Sequence, residues 1–245
     1  MLKGFWKLTW VETKVFVREP MGVIGTLLIP VVLFVVLGRS FGLRDRTPTA
    51  LPPFNVAILA ALFIAIGAAL SLVAIIAIYR EGGILKRLRA TPLSPVTILG
   101  AHVFVKLVFT VIGLGLLILA GRRVFPGAMQ VNLLSFTAAV LLSTVSILSL
   151  GFVVASIVPT ARFAQPIGAA LFYPMVGLSG LFFPIDALPA FLRIIAKALP
   201  VTHAVALMQG VWDGAGWIPH LGDAAALVVI AAAAIALSTR VFRWE

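Results

Sequence analysis

The 245-residue sequence contains no cysteine. No disulfide can staple the chain and no thiolate can hold a metal, and its redox compartment leaves no mark. Charge is also scarce: only 11% of residues are Asp, Glu, Lys or Arg, against about 25% in an ordinary soluble domain. Acids are the scarcer sign, 8 against 19 Lys plus Arg, for a net charge of +11. No two acids lie within a few residues of each other inside an apolar run, which argues against a paired-carboxylate catalyst. Three histidines, His102, His203 and His220, are far apart and lack H-E-x-x-H spacing, so no metal site is expected. There is no G-x-x-x-x-G-K-[ST], so no backbone cradle for nucleotide phosphates, and the chain is not expected to hydrolyse ATP alone. Leu178-Ser179-Gly180 and Gly113-x-Gly115 lie inside apolar runs and are read as membrane glycines.

Apolar residues are abundant. They make up 62% of the chain, and the mean hydropathy is +1.16. A soluble core cannot hide this much apolar surface, so the bilayer is the expected solvent. The basic residues flank or separate the apolar runs, where they orient spans and meet anionic lipid rather than nucleic acid. Six spans are expected, at about Met21–Gly38, Phe54–Tyr79, Val96–Gly121, Leu133–Val158, Phe163–Phe183 and Ala224–Val241. Each is near the roughly 20 residues needed to cross the hydrocarbon. Residues 184–210 carry Arg193, Lys197, Pro200 and His203 and are too polar for a simple span. They are read as an outer re-entrant segment. The first span starts after a charged preface and no A-x-A site follows it, so it is read as retained. With the N-terminus inside, inner segments hold eleven cations and outer segments seven, which places both termini in the cytoplasm.

Residues 1–20 read as an amphipathic helix on the inner surface. Lys3, Lys7, Lys14 and Arg18 fall within about 60° of one another at 100° per residue, opposite Phe5, Leu8 and Phe16. Trp6 and Trp10 suit headgroup depth. Glu12 and Glu19 fall on the apolar side, so the helix is either a positive-inside anchor with an anomaly or a helix that touches protein.

The segment 82–95, within YREGGILKRLRATPLSP, interrupts two apolar runs. Gly82-Gly83 ends the second span, and Pro92 and Pro95 stop the short segment after it. Between them Ile84, Leu85 and Leu88 share one side of about two helical turns, with Lys86, Arg87 and Arg89 on the other. A charged loop obeying the inside rule is one reading. A short two-faced plug for a groove on a soluble partner is the other.

Glu81-x-Gly83-x-Leu85-Lys86-Arg87-Leu88-Arg89-Ala90-Thr91-Pro92 resembles the cytoplasmic loop of ABC-2 type permeases, the membrane subunits of ABC exporters, and most closely their drug-resistance branch. The later run GLSGLFFPIDALPAFLRIIAKALPVTHAV resembles the same family's fifth span and re-entrant turn. Gly100-Ala101-His102 departs from the glycine-lysine of many relatives. The resemblance implies an all-α integral membrane fold of six transmembrane helices, with residues 21–245 as one transmembrane domain. It implies a connecting helix holding Lys3, Lys7, Glu12, Lys14, Arg18 and Glu19. It also implies a coupling helix, with Glu81, Gly83, Leu85, Lys86, Arg87, Leu88, Arg89, Thr91 and Pro92 as the residues that engage an ATPase. The implied partners are two copies of a separate ABC ATPase, which would bind ATP and Mg, and a second permease in a homodimer or pseudo-dimer. The implied location is a bacterial plasma membrane. No cofactor is expected in this chain.

The expected cargo is an amphipathic drug, lipid or glycolipid. The fifth span, with Pro166 and Pro174 inside it and Pro184 just past its end, is expected to line the cargo's path through Gln165, Tyr173, Gly177, Ser179, Phe182 and Phe183. In the fourth span, serines including Ser146 fall within about 140° and either line that path or pack between helices. Lys106 is either a buried functional cation or a side chain that snorkels inward. The alternative function is an ATP-independent secondary transporter or a membrane scaffold. A proton-coupled carrier would need an intramembrane carboxylate, and no span interior holds one.

Overall fold

The computed structural model describes residues 2–40, 55–84, 95–125, 132–158 and 160–241. Every regular element among them is helical. The amphipathic helix α1 spans Leu2–Arg18. It stops at Glu19, and Pro20 begins the first apolar segment. That segment comprises α2 (Pro20–Val23), a π-helical turn (Ile24–Leu28) and α3 (Ile29–Ser40). The chain keeps right-handed helical dihedrals through both joints, so the π turn adds a bulge without a break.

The second apolar helix, α4 (Val56–Glu81), is the centre of the bundle. Asn55 starts it, its side chain accepting from the backbone N–H of Ala57 and Ile58 at 3.1 and 3.3 Å. Its sequence is apolar on all sides, and it is buried on nearly all sides, as expected of a central helix. It packs against α3, against α5 (Pro95–Val124), α6 (Leu133–Ile157) and α7 (Ala161–Leu178). Asn132 caps α6 in the same way, accepting from Ser135 N–H at 3.2 Å. The main core is built from α4, α6, α7 and the later helices α9 (Pro200–Trp212) and α10 (Leu221–Val241), around Ile58, Leu72, Phe136, Phe172, Val205 and Leu227. Close helix approach is visible at Gly67, where an added Cβ would lie 3.4 Å from the Thr26 Cα.

Among the described residues, four helices are long and apolar enough to cross a membrane: Val56–Glu81, Gly100–Val124, Leu133–Ile157 and Ile218–Ser238. A fifth candidate is the pair α8 (Ala190–Ala198) and α9, bent by 77° across Leu199. Such a bend is a broken span or a re-entrant loop, within the expected 184–210 segment. The expectation of six spans thus meets four, or five with the bent pair. The first expected span yields a shorter apolar helix, Ile24–Ser40. The fifth expected span, to Phe183, ends as a helix at Leu178. Gly180 then adopts φ +84°, a left-handed conformation that turns the chain away. Arg193 Nη2 donates to the carbonyls of Asp186 and Leu188 at 2.7 and 3.2 Å and closes this corner.

Candidate functional site

The N-terminal helix separates its residues sharply. Lys7, Lys14, Arg18, Trp6 and Trp10 are exposed, whereas Thr9, Glu12 and Phe16 are buried. Lys14 Nζ stands 5.0 Å above the Trp10 ring. The side chain of Lys3 lies outside the described residues. Glu12 is 5% exposed because α1 lies on protein, packed along α5. The Tyr79 hydroxyl donates to Glu12 Oε1 at 2.8 Å, and His102 Nδ1 lies 3.2 Å from Glu12 Oε2. One acid on the surface helix therefore joins the second and third apolar helices. With Nδ1 donating to Glu12, the other ring nitrogen, Nε2, is buried with no hydrogen-bond partner among the described residues. A cavity of about 10 Å³ beside His102 has room for about one water molecule.

Lys106 borders the same cavity. It is 5% exposed, so it does not snorkel out. Its ammonium donates to Ser71 Oγ at 2.6 Å and stands 4.3 Å from the Phe16 ring centroid. A buried ammonium needs such partners, because bare burial of the charge costs several kcal/mol.

Immediately after Tyr79, Arg80 reaches the end of α6. Its guanidinium donates to the carbonyls of Val158 and Ala155 at 2.9 and 2.6 Å. A cation at the last carbonyls of a helix is the arrangement the helix dipole favours. The last turn of α4 is thus held to α1 by Tyr79 and to the end of α6 by Arg80. The chain then leaves the bundle. Glu81 is exposed, Gly82 caps the helix, and Gly83 takes φ +65° with open space around it. Ile84 comes next, exposed. Leu85, Lys86, Arg87, Leu88, Arg89, Thr91 and Pro92 lie outside the described residues.

The residues expected along a cargo path divide into two groups. Gln165 and Tyr173 face one cleft of about 230 Å³ with Glu19, Thr26, Phe63 and Ser71, between the first apolar segment, α4 and α7. Tyr173 and Phe63 pack at a ring distance of 6.4 Å. The others lie elsewhere. Ser146 and Ser179 are buried, and Ser179 Oγ donates to Val176 O at 2.6 Å. Gly177 is exposed, Phe182 packs on the core, and Phe183 is exposed after the turn. Ser143 and Ser156 bond back to carbonyls of α6 itself.

Sequence reasoning missed two groupings. His102 and Tyr79 carried no local signal. Glu12, placed on the wrong side of an amphipathic helix, was the only trace of their cluster. The second grouping joins two histidines that are distant in sequence: His203 and His220 both face Asp223, at 2.8 and 3.1 Å. His203 Nε2 also lies 2.9 Å from the Lys197 carbonyl. The bend between α8 and α9 and the start of α10 bring these residues together. Among the described residues, no group of three or more His, Cys, Asp or Glu could hold a metal ion.

The surface helix bonded onto the bundle, the apolar helices and the corner after α7 are arranged over the same stretch that the family model for the ABC-2 type transporter matches, residues 3–211. The chain belongs to the ABC-2 type transporter family. It is therefore a multi-pass membrane protein and the membrane permease component of an ABC transporter, a family that works with a partner ATPase subunit. The match runs from α1 to α9, so α10 lies beyond it. Comparison with curated proteins finds no match.

Proposed function

We propose that this ABC-2 permease is the transmembrane subunit of an ATP-driven exporter. In this reading it moves an amphipathic molecule outward across a bacterial plasma membrane, in six spans with both termini cytoplasmic. Two copies of a separate ATPase bind ATP and Mg. The segment 82–95 is the coupling helix that seats in the ATPase, and a second permease completes the passage. The drug-resistance branch, which residues 81–92 resemble, serves as the functional analogy.

The observation that carries this reading is the double tie on the last turn of α4. Tyr79 is bonded to Glu12 of the surface helix, and Arg80 to the end of α6. A push on the loop that starts at Glu81 is applied to a turn that cannot move without its neighbours. The displacement passes into α1 and α6 together, and α4 carries it to the cleft that Gln165 and Tyr173 line. Packed helices switch between discrete arrangements rather than deform continuously, so this linkage converts ATPase closure into a change of access. The cleft suits an amphipathic cargo, with apolar walls interrupted by the polar groups of Ser71, Thr26, Gln165 and Tyr173. Tyr173 is 49% exposed in the single chain, and a second permease across this face would close the cleft.

The test is co-purification with a candidate ABC ATPase subunit, followed by cargo-stimulated ATP turnover. Glu81→Ala and Leu88→Asp are expected to leave membrane insertion intact and to weaken docking or uncouple turnover from transport. Normal docking and coupling in both variants would overturn the role given to the loop.

A further inference from the structure

We propose that the groove between the first and third apolar segments binds one anionic phospholipid, its phosphate on Arg123 and an acyl chain along the groove. The groove measures about 590 Å³ and lies between the π turn and the C-terminal part of α5. Its walls include Leu27, Leu28, Val31, Leu116 and Leu119, and the one charged residue lining it is Arg123.

The sequence explains the recess. Gly113 leaves a gap in α5 that Leu27 fills: an added Cβ there would lie 3.0 Å from Leu27 Cδ2. Leu27 is accordingly buried, while Leu28 and Leu119 remain 55% exposed. The floor is thus drawn in between two raised edges. Arg123 stands seven residues after Leu116, about 10 Å further along the helix, one residue before α5 ends at Val124.

The cation selects the occupant. An arginine at the mouth of an apolar groove, exposed at a helix end, favours an anionic partner that also fills the groove with an apolar tail. The ion pairs among the described residues give it none. The bilayer supplies a phosphate diester at that depth with an acyl chain attached, and in the proposed topology the outer leaflet meets this end of α5. The adjacent exposed Arg122 raises the local positive potential and favours a net anionic headgroup over a zwitterionic one. The cleft that holds Gln165 and Tyr173 shares the first apolar segment with this groove but no lining residue, and its other walls are α4 and α7, so this lipid is distinct from the transported cargo.

The experiment reconstitutes the purified full chain in bilayers of equal parts phosphatidylglycerol and phosphatidylcholine, extracts it gently, and counts retained lipid by native mass spectrometry. The wild type is expected to retain phosphatidylglycerol in preference to phosphatidylcholine. Arg123→Gln is expected to lower that retention about fivefold. Leu119→Trp, which fills the groove, is expected to lower retention of both lipids, and Arg162→Gln to change nothing. All three positions are exposed, and thermal unfolding checks that each variant is folded. Equal retention of the two lipids by the wild type would overturn the proposal. So would wild-type retention in both groove variants, or a loss in Arg123→Gln without one in Leu119→Trp. Loss of a dimer mass in Leu119→Trp, with lipid unchanged, would assign the groove to a second copy and overturn it equally.

Discussion

Tyr79→Phe removes one hydroxyl and leaves the packing of the ring in place. Tyr79 is 8% exposed and its hydroxyl lies 2.8 Å from Glu12 Oε1. A hydrogen bond to a charged acceptor contributes about 1.5–3 kcal/mol. Glu12→Ala removes the acceptor of both Tyr79 and His102 and is expected to cost more, about 3–5 kcal/mol, because it strands buried partners. For a chain of this size, each kcal/mol moves the unfolding midpoint by about 2–4 °C. Tyr79→Phe should therefore lower Tm by about 3–12 °C and Glu12→Ala by about 6–20 °C. The pair should also be non-additive, the double variant losing at least about 1 kcal/mol less than the sum. Thermal unfolding of the purified chain reads these shifts. Backbone hydrogen exchange along α1 reads their location, since undocking should speed exchange in Thr9–Phe16 before it does in α4. A Tyr79→Phe midpoint within about 1 °C of wild type, with additive costs, would refute the reasoning that this bond fastens α1 to the second span.

Two further predictions concern the other buried polar groups. Ser71→Ala should destabilise the fold by about 1–3 kcal/mol, because it strips the Lys106 ammonium of its hydrogen bond, whereas Lys106→Met should be neutral or stabilising, because an apolar side chain of similar shape removes the buried charge itself. Paired unfolding curves decide between these signs. Asp223→Asn should loosen the corner where His203 and His220 converge, and Gly210→Ala should do the same from the opposite side, since its added Cβ would overlap the His220 imidazole. Both variants should speed proteolysis or hydrogen exchange between Pro200 and Leu221 while sparing α1.

Local chemistry was readable wherever one segment decides its own structure. The spacing of Lys7, Lys14 and Arg18 marks the exposed face of α1, and Gly82-Gly83 marks the end of α4. The apolar run from Leu133 gave α6 to within one residue. Structure that depends on distant segments was not readable. No spacing rule connects Glu12 to Tyr79 and His102, which meet only when α1 lies across two packed helices. Among the described residues the buried carboxylate, Glu12, belongs to the flanking helix rather than to an apolar run. The π turn in the first segment lies where Thr26 and Leu27 pack on Gly67 and Gly113, a tertiary contact that hydropathy averages over. In the fifth segment the apolar run continues past Leu178, but the left-handed Gly180 ends the helix. The histidines meet on Asp223 through a 77° bend whose angle no local motif states.

The absence of cysteine makes the most direct test simple. Ile84 is exposed just beyond Gly83, and Ile84→Cys creates a single thiol at the base of the loop. Membrane-impermeant maleimide is applied to right-side-out and inside-out vesicles, with and without the ATPase subunit. The account predicts labelling only from the cytoplasmic side and protection by the docked ATPase. Labelling from the outer side, or cytoplasmic labelling that the ATPase leaves unchanged, would contradict it.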